Sequence, residues 1–190
     1  MRRISTLVIA STALLVAMTA AAPSARAEKK PRHRPRVAEN IDLDRYMGTW
    51  FEIARIPTRF QKSCECCATA TYSRRDDGMV DIVNECLEKD GSIKTAKAEA
   101  RVTRSSDARW RATFFKILGL GVAKGDYWIL GVDDGYDWAV VGDPKRKYGW
   151  ILAREPVLTT VQREAVDALL IDRGYDPGDF VPTPQQEGTP

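Results

Sequence analysis

The sequence predicts an all-β fold: an eight-stranded antiparallel up-and-down β-barrel with one C-terminal α-helix packed outside it. Three features carry that expectation. Two related segments stand about a hundred residues apart, Tyr46-Met47-Gly48-Thr49-Trp50-Phe51-Glu52-Ile53-Ala54-Arg55 and Tyr148-Gly149-Trp150-Ile151-Leu152-Ala153-Arg154. Each reads as a short apolar strand that carries a Trp and ends in Arg, the pattern of first and last strands that meet. Between them, short strands alternate with turn signals at regular spacing, as in an all-β sandwich or barrel. After them comes a single helical pattern.

The first strand is Thr49–Arg55, and a loop runs from Pro57 to about Cys66. Cys67–Arg74 and Met79–Leu87 form a hairpin around Asp76-Asp77-Gly78, with Val80, Ile82, Asn84 and Cys86 on one face of the second strand. Ser92–Thr103 alternates more weakly. Arg109–Phe115 puts Trp110, Ala112 and Phe114 on one face. Tyr127–Val132 and Trp138–Val141 flank a turn at Asp133-Asp134-Gly135, and Trp150–Ala153 closes the series. Thr159 or Thr160 caps a helix over Val161–Asp172. Its apolar stripe is Val161, Ala165, Ala168, Leu169 and Leu170, and Gly174 stops it.

Four segments divide the 190 residues. Residues 1–27 read as a cleaved signal peptide: Arg2 and Arg3 are basic, Leu7 to Ala22 is apolar, and Ala25-Arg26-Ala27 is a small-x-small cleavage site. A retained anchor is the rival reading, and the residues after Arg2-Arg3 fit a twin-arginine signal poorly. Residues 28–40 form a basic flexible tail, 41–181 the folded domain, and 182–190 a disordered Pro-rich tail. Without the leader the chain holds 26 basic and 26 acidic residues; from Val37 onward it is mildly acidic, 21 against 25. That argues against a nucleic-acid partner, which needs a basic face on the folded part. The tail is a solvated arm or a contact for anionic lipid.

The four cysteines are Cys64, Cys66, Cys67 and Cys86. In an exported chain an even number reads as disulfides. A zinc site is the rival, but Cys-x-Cys-Cys lacks the usual paired spacing, so no metal is expected. The hairpin brings Cys86 roughly opposite Cys67 or Ala68, which makes a bridge to one of the cluster plausible and leaves open which one.

Gly48-x-Trp50 on the first strand, Asp133 with Tyr136 at a later turn, and Arg154 ending the last barrel strand resemble the three signatures of the lipocalin family. With Thr69-Ala70-Thr71-Tyr72-Ser73 and Asp76-Asp77-Gly78, the likeness is to its bacterial and apolipoprotein D-like branch, from about Ile41 to Val181. The resemblance implies structural roles: Trp50 closes one end of the barrel and Arg154 lies across its ring. Gly48 gives the backbone room to enter the strand.

An eight-stranded barrel is just wide enough to hold one small ligand. The resemblance puts four segments around the mouth opposite Trp50: Pro57–Cys66, the turn after Cys86, Lys116–Asp126 and Asp143–Gly149. Within the third, Ile117, Leu118 and Leu120 make an apolar loop that is either a lid, a membrane-touching tip, or packing on the barrel. Within the fourth, Lys145, Arg146 and Lys147 are placed to meet a carboxylate or phosphate head group, or form a solvated turn. Trp150, Tyr127, Ile129, Ala112 and Phe114 are the candidate pocket wall, with the opposite faces (Trp128 and Leu130) as rivals until the register is known.

Catalysis finds little support. The one His, His33, precedes the fold, and Glu52, Glu85, Glu88 and Glu99 are scattered. Glu52 points into the barrel if it joins a polar network. The resemblance implies an exported lipocalin, periplasmic or secreted, that binds and stores or carries fatty acids, lysophospholipids or similar amphiphiles for membrane maintenance. It implies no cofactor, peripheral contact with the outer membrane, and a monomer or homodimer. No Cys stands near the cleavage site to carry a lipid anchor, unlike in many bacterial members. The rival functions are an enzyme on the same barrel, of isomerase or epoxide-acting type, a carrier of haem or pigment, and an interaction module whose barrel is filled by its own side chains.

Overall fold

The computed structural model describes residues 33–103, 106–115 and 122–185. The expected leader and the loop that holds Ile117, Leu118 and Leu120 lie outside the described residues. A one-turn helix α1 (Leu43–Tyr46), N-capped by Asp42, leads into β1 (Gly48–Arg55). There follow β2 (Cys64–Arg74), β3 (Met79–Glu88), β4 (Ile93–Thr103), β5 (Ser106–Phe115), β6 (Val122–Val132), β7 (Trp138–Gly142) and β8 (Gly149–Ala153). Each strand pairs antiparallel with the next, and β1 pairs with both β2 and β8, so the sheet closes. Closure removes the exposed edges that an open antiparallel sheet would offer to other chains. Helix α2 (Thr160–Asp172) packs outside, started by a capping box between Thr159 and Gln162.

Period-two alternation decides what each strand buries. One core fills the barrel interior and includes Trp50, Tyr72, Ile82, Ala98, Ala100, Trp110, Ala112, Tyr127, Ile129 and Leu152. The opposite faces of β6, β7 and β8 send Trp128, Leu130, Trp138, Val140 and Ile151 into a second core under α2. The helix meets this core through Val166 and Leu170, with Leu169 partly buried. This corrects the expected stripe: Val161 is 76% exposed, and Ala165 and Ala168 face solvent. The buried positions follow the 3.6-residue period from Val166, and the run of small residues had no part in it.

Both presumed tails are docked over the described residues. The Ala38 amide donates to the Ile129 carbonyl, Pro35 is buried, and Arg36 pairs with Asp172 at 2.6 Å. Residues 33–40 therefore lie against the barrel instead of forming a free arm. At the other terminus, β1 pairs with β2 only over Gly48–Phe51. Beyond that the two strands part, and the chain end fills the seam: β9 (Val181–Pro182) pairs with Ala54 and Arg55. The Cys67 amide donates to the Pro184 carbonyl, and the Gln185 side-chain amide donates to the carbonyls of both Glu52 and Ala68. Backbone groups of splayed strands must find partners, and residues 181–185 supply them where a frayed tail was expected.

Candidate functional site

The closed end is built on Trp50, which is fully buried. Its indole N–H donates to the Tyr46 carbonyl at 2.8 Å, and the Arg154 guanidinium lies 3.7 Å from the ring centroid. Arg154 also donates to the carbonyls of Thr49, Arg45 and Met47, which stitches the last strand to the chain entering the first. Its burial pulls its pKa below the ordinary arginine value. Gly48 has φ +92°, a conformation that side chains with a Cβ rarely adopt, so the entry to the strand needs glycine. Asp133 accepts from the amides of Gly135, Asp137 and Trp138. That turn presents Tyr136, whose hydroxyl accepts from the Asp42 amide at 2.7 Å and whose ring carries Arg45.

Above Trp50 the barrel is filled by aromatic rings. Tyr46 from α1 packs against Trp50, Tyr72 and Trp110, and Trp110 stacks on Tyr127 at 5.1 Å. The Tyr127 hydroxyl bonds those of Tyr46 (2.9 Å) and Tyr72 (2.7 Å), so three phenols satisfy one another away from water. Burial pushes all three pKa values well up. Of the candidate wall residues, Tyr127 belongs to this ring cluster, and Ile129 and Ala112 are buried in the same interior core.

Between the rings the interior side chains are small: Ala70, Ala98, Ala100 and Ala112, on β2, β4 and β5, cannot reach across a barrel of this size. Asn84, which lies opposite Ala70, and Phe114 and Trp150 are only half-buried, although the alternation of their strands turns them inward. Phe114 pairs with Ala98, and Trp150 with Arg55. Tyr148 stacks on Trp150 at 6.1 Å, and Phe60, 52% exposed, sits 6.0 Å from Tyr148, which makes the rim aromatic.

One wall of this half is polar. The buried Glu52 carboxylate accepts from Arg55 (2.6 Å), Thr183 (2.7 Å) and Gln61 (2.8 Å). The Gln61 side-chain oxygen in turn accepts from the Trp150 indole at 3.4 Å. Arg55 neutralises Glu52, so the network brings no net charge to the interior.

The rim is pinned by the Cys64–Cys86 disulfide, which joins β2 to β3; the neighbours Cys66 and Cys67 are bonded to each other. Register shifts on both sides of Cys66, with Cys67 at φ +61°, turn Cys67 away from Cys86 and leave Cys64 as its partner.

The basic turn at the mouth does not act as three parallel head-group contacts. Asp143 accepts from the amides of Lys145, Lys147 and Tyr148, the same pattern as the Asp133 turn. The pattern puts Arg146 at φ +53°, and its side chain is buried, donating to the carbonyls of Arg173 and His33. Lys147 lies over Tyr148 at the rim, and Lys145 turns to the outer wall. The reading of the strand faces overlooked Tyr46 and Tyr72; α1 is one turn long and has no periodicity to find, whereas Tyr72 continues the alternation of Ala68 and Ala70.

The sequence matches the family model described as a lipocalin-like domain over residues 41–185. The chain belongs to the lipocalin family. This lipocalin is 33% identical to the outer membrane lipoprotein Blc of Escherichia coli K12 over 181 residues, 94% of this chain and 96% of that one. It is 32% identical to temperature-induced lipocalin-1 of Arabidopsis thaliana, covering 81% and 84% of the two chains. To mouse apolipoprotein D it is 30% identical, covering 75% and 76%. The fold resembles that of insecticyanin from Manduca sexta (TM-score 0.66, 22% identity, 84% and 87% covered). It also resembles lobster apocrustacyanin A1 (TM-score 0.62, 18% identity, 85% and 96% covered).

Proposed function

We propose that this lipocalin binds one small hydrophobic ligand in the open half of its barrel, and that the ligand is a fatty acid, a lysophospholipid or a similar amphiphile. The observation that carries the reading is the inward-facing set Asn84, Phe114 and Trp150, left half-buried, the first two beside alanines of the neighbouring strands, while rings fill the end at Trp50. An acyl chain lies against Phe114 and Trp150; the neutralised Glu52–Arg55 pair neither attracts nor repels its charge. The head group stays at the rim, where Arg59, Lys62 and Lys147 are exposed. Export agrees with two disulfides in a body of this size and with the kinship to an outer membrane lipoprotein and to apolipoprotein D. Among the described residues no helix is long and apolar enough to cross a membrane.

The test is mass spectrometry of organic extracts of the purified protein, together with displacement of a fluorescent fatty acid by oleate and by lysophosphatidylcholine. Co-purified acyl lipid and saturable one-to-one displacement are expected. An empty extract with no displacement by either lipid overturns the reading.

A further inference from the structure

A cavity of about 590 Å³ lies outside the barrel against β5 and β6. It is lined by Arg34, Pro35 and Arg36 of the docked N-terminal segment, by Arg109, Arg111, Asp126 and Trp128 of the two strands, and by Lys145 of the β7–β8 turn, among others. Two of its five cations are already satisfied, since Arg111 pairs with Asp126 at 3.2 Å and Arg36 with Asp172. Arg34, Arg109 and Lys145 have no carboxylate partner among the described residues. Arg109 is the most constrained of the three. Its guanidinium lies 5.0 Å from the centroid of the Trp128 ring, and its buried Nε–H has no acceptor. A buried donor without a partner costs free energy until a ligand supplies one. The groove is formed only because residues 34–36 lie along the wall, and Lys145 comes from a turn at the open end of the barrel.

We propose that this groove is a second binding site, distinct from the barrel interior, and that it takes a phosphate ester, the head group of an anionic phospholipid. Three unpaired cations around one concavity match the charge of a phosphate, and the planar fork of Arg109 suits its oxygens. The volume accommodates a glycerophosphate head group. A phospholipid held there lies on the outer wall of the barrel, beside the turn that carries Lys145.

The test uses the intact protein with vesicles of phosphatidylcholine containing about a quarter phosphatidylglycerol, with pure phosphatidylcholine vesicles, and with short-chain phosphatidylglycerol below its micellar concentration. The triple variant Arg34→Gln, Arg109→Gln, Lys145→Gln is compared with Arg74→Gln, Lys89→Gln, Lys97→Gln, which removes equal charge elsewhere. All six side chains are at least partly exposed, and circular dichroism checks that both variants fold. The groove variant is expected to lose roughly tenfold or more in affinity for the anionic ligand, and the control to keep its affinity within about twofold. Groove-dependent binding to vesicles alone places the phosphate in a bilayer; groove-dependent binding of the short-chain lipid as well places it in single lipid molecules. Either result supports the site. Equal losses in both triple variants, or no loss in the groove variant, overturn it.

Discussion

The two ends of the barrel are made of the same strands and treat their interiors in opposite ways. At the closed end five rings, Tyr46, Trp50, Tyr72, Trp110 and Tyr127, fill the space, and each phenol and indole among them finds a hydrogen-bond partner. Away from them the inward residues shrink to alanine or stay only half-buried, and at the open end β1 and β2 part, where residues 181–185 and the Cys64–Cys86 bridge hold the rim. A barrel packed like the closed end throughout would have no room for a ligand, and one open throughout would lack a core. On the proposed function, stability and binding therefore occupy different parts of the barrel.

That division fails if the closed end turns out to be dispensable. Trp50→Ala deletes its largest buried side chain and is expected to cost roughly 3–5 kcal/mol in chemical denaturation. At the open end, the paired change Cys64→Ser with Cys86→Ser releases a closed loop with a sequence separation of 22 and is expected to cost about 3 kcal/mol. It should also weaken binding, because the bridge fixes the rim of the mouth. A smaller effect is expected of Arg154→Lys, which keeps the charge but loses the planar stack on Trp50 and part of the carbonyl fork. Roughly 1–2 kcal/mol should disappear, read as a lower denaturation midpoint with unchanged slope.

The buried phenols extend the contrast to pH. Unfolded tyrosine ionises near pH 10. In the fold, burial holds Tyr46, Tyr72 and Tyr127 protonated beyond that point, and Tyr175 likewise. Above pH about 10 the unfolded state therefore binds fewer protons than the folded one, and stability falls as pH rises. Below that the contribution is fully present. Ultraviolet titration should show phenols that ionise only together with unfolding; free titration of every tyrosine in the native state would remove the closed cluster.

Most of the architecture was legible because it rests on local rules. The Trp/Arg segments, the Asp-Asp-Gly turns and the alternation on β3 and β5 gave the strands their order and inner faces. The two misread tails were compositional inferences: Pro-rich and basic stretches resemble solvated chain, and only the seam between β1 and β2 and the exposed flank of β6 explain why they dock. The inner face was legible; its depth was not. Alternation put Tyr127, Ile129, Ala112, Phe114 and Trp150 on the inside, but depth along the barrel axis depends on shear, which no single strand encodes. The Arg146 reading failed because Asp143 organises the turn, and an αL position sends a side chain where a count of charges cannot follow.

The smallest stability effects are expected at the mouth, from Phe114→Ala and Trp150→Ala, each about 1 kcal/mol because both side chains are already half-exposed. The most direct measurement reads stability and affinity for a fluorescent fatty acid on the same four proteins: wild type, Trp50→Phe, Phe114→Ala and Trp150→Ala. The division of the barrel predicts that Trp50→Phe lowers the melting temperature and keeps wild-type affinity, whereas the two mouth variants melt close to wild type and bind roughly tenfold more weakly. Wild-type affinity in both mouth variants would contradict it.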